Sequence, residues 1–190
     1  MKINLSVEQK MLTNPDLHTV LIRALWELSQ PEIVERFCLH EACHLHYFEP
    51  IRAIMGPDAP KFETLGPTIL YNERRKCFQF VPAMVKTPFV KSRLQYSDEV
   101  LTHLANGTVA GGVFLQELEH CEEGGDSEDT GEFYNHFVRA RQQLVEPIHK
   151  EERMLNEARE KVTKELLENP LIVLIIRKMA KELAEKHFSL

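Results

Sequence analysis

The sequence predicts a mainly α-helical fold with a small β-sheet, of the α+β class. Apolar residues recur at helical spacing along much of the chain. Between residues 56 and 88, glycine and proline recur among β-branched and aromatic residues, which is typical of strands. A length of 190 residues with 43% hydrophobic residues fits one domain. We expect a helical core with a small sheet over residues 1–130 and a helical C-terminal part over 131–190.

Two helices are predicted at the start of the chain. The first covers residues 16–28, and its apolar face is expected to pack against the second. The second covers residues 30–48. Ser29-Gln30-Pro31-Glu32 has the pattern of a capping box with proline in the first turn, and Pro50 is expected to end the helix.

The middle of the chain predicts a sheet followed by helices. Residues 67–71 and 77–81 read as two strands joined by a polar turn. Such a sheet either packs on the helices or holds an extended substrate, and both interpretations stay open. Ser97 or Asp98 is expected to cap a helix that ends near Asn106-Gly107, and a further helix is predicted over 109–122. Gly111-Gly112 inside it predicts close packing against another element.

After an acidic turn at residues 123–131 the pattern is almost wholly helical. Pro147 predicts a kink or break, and Asn169-Pro170 is expected to separate the last two helices.

Composition excludes several classes of protein. The net charge is −6 with both signs interspersed, so we expect no nucleic-acid partner. No apolar segment follows Met1, which predicts no secretory signal. The longest apolar run, residues 171–176, is far shorter than the roughly 20 residues of a membrane span. We therefore expect a soluble, cytoplasmic protein. The four cysteines form no C-x-x-C pair, which disfavours a cysteine-rich zinc site.

The most informative motif is His40-Glu41-Ala42-Cys43-His44, which reads H-E-x-x-H. Two histidines four residues apart on a helix lie on the same face and can bind one metal ion. The adjacent Glu41 can act as general base toward a water on that ion. The motif therefore predicts a hydrolytic Zn²⁺ site with His40 and His44 as ligands.

A catalytic zinc site needs a third protein ligand, and the residue types leave several candidates open. The candidates are the downstream histidines and acidic residues: His103, Glu117, Glu119, His120, Asp126, Glu128, Asp129 and His136.

Three motifs in order resemble the peptidase domain of the FtsH family of zinc proteases. They are His40-Glu41-Ala42-Cys43-His44, then Ala110-Gly111-Gly112 with Glu117, then Gly125-Asp126-Ser127-Glu128-Asp129. The resemblance covers roughly residues 30–165 in order of elements. It implies an FtsH-like helical fold with the H-E-x-x-H helix at its active site. It also implies that Asp129 is the third zinc ligand and that Glu117 orients a ligand.

The chain departs from this family at two points. Cys43 stands where the family has glycine, so its thiol either packs beneath the site or, as a thiolate, fills the open metal position. No G-x-x-x-x-G-K-[ST] motif occurs, so no ATPase accompanies the peptidase residues. A separate unfoldase or adaptor partner is therefore expected. The helical C-terminal part either packs on the domain or mediates self-association as a homo-oligomer.

The sequence thus predicts a zinc endopeptidase that acts on polypeptide substrates. The alternatives are a non-catalytic peptidase-like domain that serves as an adaptor or assembly module, and a helical domain with a chance motif.

Overall fold

The computed structural model of the protein describes residues 4–5, 15–56, 63–72, 76–82, 84–86, 97–121 and 149–188. The helices within these ranges are α1 (Pro15–Leu28), α2 (Pro31–Met55), α3 (Asp98–Glu117), α4 (His149–Glu168) and α5 (Pro170–His187). The strands are β1 (Asn4–Leu5), β2 (Glu63–Leu65), β3 (Thr68–Asn72), β4 (Cys77–Val81) and β5 (Met84–Lys86). The mainly helical α+β class is confirmed. The acidic turn and Pro147 lie outside the described residues.

The strands form two small sheets. In the first sheet β3 lies between β1, which is parallel to it, and β4, which is antiparallel with Ile69 opposite Phe80. This hairpin confirms the two predicted strands. The second sheet is a ribbon of β2 and β5, in which Thr64 lies opposite Val85. Neither strand of this ribbon was expected from the sequence.

The main core lies where α2 packs against α3 and α5, and where α3 packs against α4. Its largest fully buried side chains include Leu39, Leu101, Phe114, Leu166 and Ile176. Among the described helices, none combines the length and the apolar character that crossing a bilayer requires.

Helix α1 packs mainly on the first sheet, where Leu17 is buried with Ile69 and Phe78. It also contacts α2, as expected, but through fewer residues. The expectation that the apolar face of α1 packs against α2 was therefore wrong in part, because most of this face contacts the sheet. Leu25, one of the apolar residues of α1, is 52% exposed.

Helix α2 differs from the prediction at both ends. Its N-cap is Gln30, which makes no side-chain capping bond, and Pro31 follows in the first turn. The expected capping box does not form, because the Ser29 hydroxyl donates to the Trp26 carbonyl at the end of α1 at 2.7 Å.

Pro50 does not end α2, which continues to Met55. Proline removes one backbone donor and crowds the preceding turn, but its fixed φ is compatible with a helix. Phe48 and Ile51 on either side are buried in the core, and this packing holds the last turns in helical form. The helix ends at Gly56, whose φ of 61° is favourable for glycine.

Helix α3 is one continuous helix rather than two. The Ser97 hydroxyl accepts from the Val100 amide at 3.2 Å, which confirms the predicted cap. Asn106 and Gly107, expected at a helix end, are buried in its middle. Gly107 is there because α3 approaches α2 closely. A Cβ atom at this position would overlap the Phe48 ring.

The replacement Gly107→Ala is expected to lower the free energy of unfolding by about 1–3 kcal/mol, the range typical of overpacking. The decrease should appear even though alanine favours a helix interior by about 1 kcal/mol over glycine. Urea denaturation measures the change. Phe48→Leu in the Gly107→Ala background should recover part of the loss, because the smaller side chain leaves room for the methyl group. A Gly107→Ala protein as stable as the parent would contradict this packing.

The break between the last two helices is confirmed. Helix α4 ends at Glu168, and the Asn169 side chain accepts from the Leu171 amide at 3.2 Å, which caps α5. Pro170 occupies the first turn of α5, where its missing N–H does no harm.

Candidate metal centre on helix α2

The two histidines of the motif converge on the surface of α2. They are four residues apart, so their rings lie one turn apart on the same face. The Nε2 atoms of His40 and His44 are 2.9 Å apart, and the two rings meet edge to face. One oxygen of Glu41 joins them, so that the ligand atoms of all three residues lie within 4.8 Å of one another. Among the described residues, this is the one group of three or more such side chains found.

The tautomer of His44 is set by helix α3. The His44 ring is 4% exposed, and its Nδ1–H donates to the Gly107 carbonyl at 2.6 Å. A carbonyl oxygen can only accept, so the hydrogen of the neutral ring lies on Nδ1 and the lone pair on Nε2. Metal-binding histidines are held in this way by a hydrogen bond from the other ring nitrogen. The bond therefore directs the His44 lone pair toward His40.

A second glycine of α3 makes room for His40. A Cβ atom added at Gly111 would lie 2.5 Å from His40 Nδ1 and 2.6 Å from its Cε1, well inside van der Waals contact. The close packing predicted for the glycine pair is thus confirmed at Gly111. Because Gly107 and Gly111 are one turn apart, α3 presents a bare strip of backbone to Phe48 and His40.

Glu41 is held by strand β5. The Val85 amide donates to Glu41 Oε2 at 2.6 Å. Two opposite residues of an antiparallel pair either make both backbone hydrogen bonds with each other or make neither. Because the Val85 amide donates to Glu41, Val85 belongs to a pair that makes neither, and this amide points away from the partner strand β2. The outer edge of β5 therefore faces the carboxylate of the motif.

Neither backbone contact was predicted from the sequence. Gly107 and Val85 act through a carbonyl and an amide that any residue would provide, so their side chains carry no signal. The sequence signal at Gly107 was interpreted only as the end of a helix. The lack of a side chain at Gly107, read with Gly111 one turn later, was the available sign that another helix comes close.

The geometry fits a tetrahedral metal ion. Two imidazole nitrogens bound at 2.0–2.1 Å in tetrahedral geometry are about 3.3 Å apart. The Nε2 atoms of His40 and His44 are 2.9 Å apart. Small rotations of the rings, which move these atoms by a few tenths of an ångström, would bring them to the tetrahedral spacing. Neutral imidazole is a ligand that zinc favours. His40 and His44 could therefore hold a metal ion, with one further ligand required.

Cys43 points into the core. It is fully buried, and burial raises the pKa of its thiol well above the usual value, with the Glu41 charge adding to the effect. A neutral thiol is a poor metal ligand. Its sulfur is also outside the group formed by His40, Glu41 and His44 among the described residues. The geometry favours packing beneath the site over capture of the open metal position.

The third ligand is not found among the described candidates. Glu117 is the exposed last residue of α3, six residues or about 9 Å beyond Gly111. Glu119 pairs with Arg177 at 2.5 Å. Neither these two nor His103 or His120 joins the His40–His44 group within the part of the chain that the structure describes. Asp126, Glu128, Asp129 and His136 lie outside the described residues.

We expect the protein to lose stability in acid because of three histidines that are not part of the motif. Burial lowers the pKa of His46, His103 and His187 below 6.5. The unfolded chain then binds more protons than the folded protein as the pH falls through 6.5. The free energy of unfolding should therefore decrease from pH 7.5 to pH 5. Urea denaturation at both values measures this decrease, which should be smaller in His46→Gln; an equal or larger decrease in the variant would contradict the effect of burial.

Comparison with known proteins gives no match to a protein-family model, to a curated protein or to a solved structure. The resemblance to the FtsH peptidase domain therefore rests on short motifs.

Proposed function

We propose that the chain is a zinc-dependent metallopeptidase with Glu41 as its general base. The observation that carries the proposal is the bond from His44 Nδ1 to the Gly107 carbonyl. This bond gives His44 the tautomer of a metal ligand and directs its lone pair to a point shared with His40 and beside Glu41. A buried imidazole N–H needs an acceptor in any case, so the support comes from the convergence of His40 and Glu41 on the point that this lone pair faces.

In this proposal His40 and His44 hold zinc, and Asp129 supplies the third ligand on the strength of the family resemblance. Zinc held there would supply Lewis-acid chemistry: it would polarise the scissile carbonyl and lower the pKa of a bound water toward about 7. Glu41 takes a proton from the attacking water and passes it to the leaving amine. The Val85 amide fixes the Glu41 carboxylate, because it holds one of its oxygens.

The proposed substrate is a polypeptide in extended form. Strand β5 runs beside Glu41 with its outer edge toward the site, so a peptide aligned with this strand would bring a backbone carbonyl near the histidines. The chain has no phosphate-binding motif for ATP. Unfolded substrates, or substrates delivered by a separate unfoldase or adaptor, are therefore the proposed targets. The cysteines are free thiols, and we propose that the protein acts in the cytoplasm.

The proposal is tested by metal content and by cleavage of casein, an unfolded substrate. The purified protein should contain about one zinc ion per chain by mass spectrometry. It should cleave casein, lose this activity with 1,10-phenanthroline, and regain it when zinc is added. A preparation that contains no stoichiometric metal, or a cleavage that the chelator leaves unchanged, would overturn the proposal.

A second candidate function is a non-catalytic adaptor or assembly module. The observation that favours it is an exposed apolar face on α1, where Ile22 is 70%, Leu25 52% and Trp26 60% exposed. Contiguous exposed apolar side chains of this kind mark sites of protein association. In that case the protein, with or without bound metal, would cleave no casein, and light scattering would give the mass of an oligomer.

A further inference from the structure

The C-terminal end of α5 is hydrogen-bonded to strand β2 through the side chain of Thr64. The Lys186 ammonium donates to the Thr64 hydroxyl oxygen at 2.8 Å, and His187 Nε2 is 3.0 Å from the same oxygen. Thr64 is thus contacted by two consecutive residues more than 120 positions later in the chain. Such a convergence on one hydroxyl connects the last helix to the ribbon.

These contacts involve a helix end that is itself fixed. Phe188, which follows, is 5% exposed, and its amide donates to the Ala184 carbonyl at 2.9 Å. The His187 ring lies on the backbone of Gly66, where an added Cβ atom would be 3.0 Å from Nδ1. Burial and the Lys186 charge lower the pKa of His187. The ring is therefore neutral at pH 7, so Nε2 can accept the Thr64 hydrogen while the Thr64 oxygen accepts from Lys186.

The ribbon continues this chain of contacts to the motif. Thr64 lies directly opposite Val85, and side chains of opposite residues share one face of an antiparallel pair. Val85 is 7% exposed and belongs to the main core. Its amide is the donor to Glu41. A displacement of Thr64 is therefore passed across one strand pair to the group that orients the Glu41 carboxylate.

We propose that Thr64, held by Lys186 and His187, is a positioning residue for Glu41. The assignment rests on the proposed function insofar as Glu41 is the general base. Thr64 contacts neither Glu41 nor the histidines in the described hydrogen bonds; it acts through Val85. The end of α5 thereby becomes part of the support of the candidate active site.

The test compares Thr64→Val, which removes the hydroxyl and keeps the shape, with Thr64→Ser, which keeps the hydroxyl. The first readout is hydrogen exchange of the Val85 amide by NMR, which requires no activity. Thr64→Val should accelerate this exchange about 3–10-fold, the effect of weakening one hydrogen bond, whereas Thr64→Ser should restore the parent rate. The second readout is casein cleavage, where Thr64→Val should lower kcat by a similar factor and leave KM unchanged.

The outcomes separate this proposal from the proposed function. If the parent protein cleaves no casein, the proposed function fails, and the Val85 exchange still decides whether Thr64 supports the Glu41 contact. An unchanged Val85 exchange, an equal acceleration throughout α2 and the ribbon, or an unchanged kcat in an active enzyme would overturn the positioning role. Should Thr64→Val fail to fold, Lys186→Met replaces it, with the exposed Lys181→Met as control.

Discussion

The variant Glu41→Gln is expected to lose casein cleavage by about 10²–10⁴-fold, the usual contribution of a general base, while it retains zinc. Glutamine has nearly the same shape, and its side-chain oxygen can still accept from the Val85 amide. It cannot take a proton from water. Initial rates of cleavage and metal content, both measured on the purified variant, check the two parts of this expectation.

Glu49→Gln is the matched control. Glu49 is on the same helix, but it is exposed and pairs only weakly with Arg52 at 3.2 Å. Its replacement should leave cleavage and zinc content unchanged. Parent-like activity in Glu41→Gln would refute the assignment of the base. Loss of zinc from that variant would instead make Glu41 a ligand, as its place in the His40–Glu41–His44 group allows.

The second large effect is expected for Asp129→Ala, which should weaken zinc binding by more than 100-fold. Removal of a group that only supports a ligand costs about 10–100-fold, and a ligand itself should cost more. Affinity is measured by competition with a zinc-responsive dye. Casein cleavage should disappear together with the metal.

Two variants at other candidate positions serve as comparisons. Glu117→Ala should lower affinity within the 10–100-fold range if Glu117 orients a ligand, and His120→Ala should have no effect. An Asp129→Ala protein with unchanged zinc affinity would assign the third ligand elsewhere. A loss beyond 100-fold in Glu117→Ala or His120→Ala would identify which residue takes that place.

Local sequence signals predicted the helices and the β-hairpin, but they predicted the ends of the helices only in part. Ser97 caps its helix and Asn169-Pro170 separates the last two helices, both as expected, because such signals depend only on residues within about one turn. Pro50 and Gly107 were expected to end helices and do not. In both places, contacts with distant parts of the chain outweigh local preference: Ile51 is buried in the core, and Gly107 gives room to Phe48.

The same distinction holds for the candidate site. The convergence of His40 and His44 follows from the pitch of one helix, so the spacing of the motif was enough to predict it. The Gly107 carbonyl and the Val85 amide are 63 and 44 residues away from their partners in the motif. Both are backbone groups. The packing of α3 on α2 places the first, and the β2–β5 pair, whose strands have no clear sequence pattern, places the second. These supports could not have been predicted from the sequence alone.

The 2.9 Å contact between the two imidazoles has a consequence for acid conditions. Two nitrogens at this distance share a hydrogen, with one as donor and the other as acceptor. A cation bound by both rings would take the place of that hydrogen, which His40 would then carry on Nδ1. Acid adds a further proton to an imidazole, and that proton occupies the lone pair that the cation needs. Occupancy at a fixed zinc concentration should therefore decline as a solution is acidified.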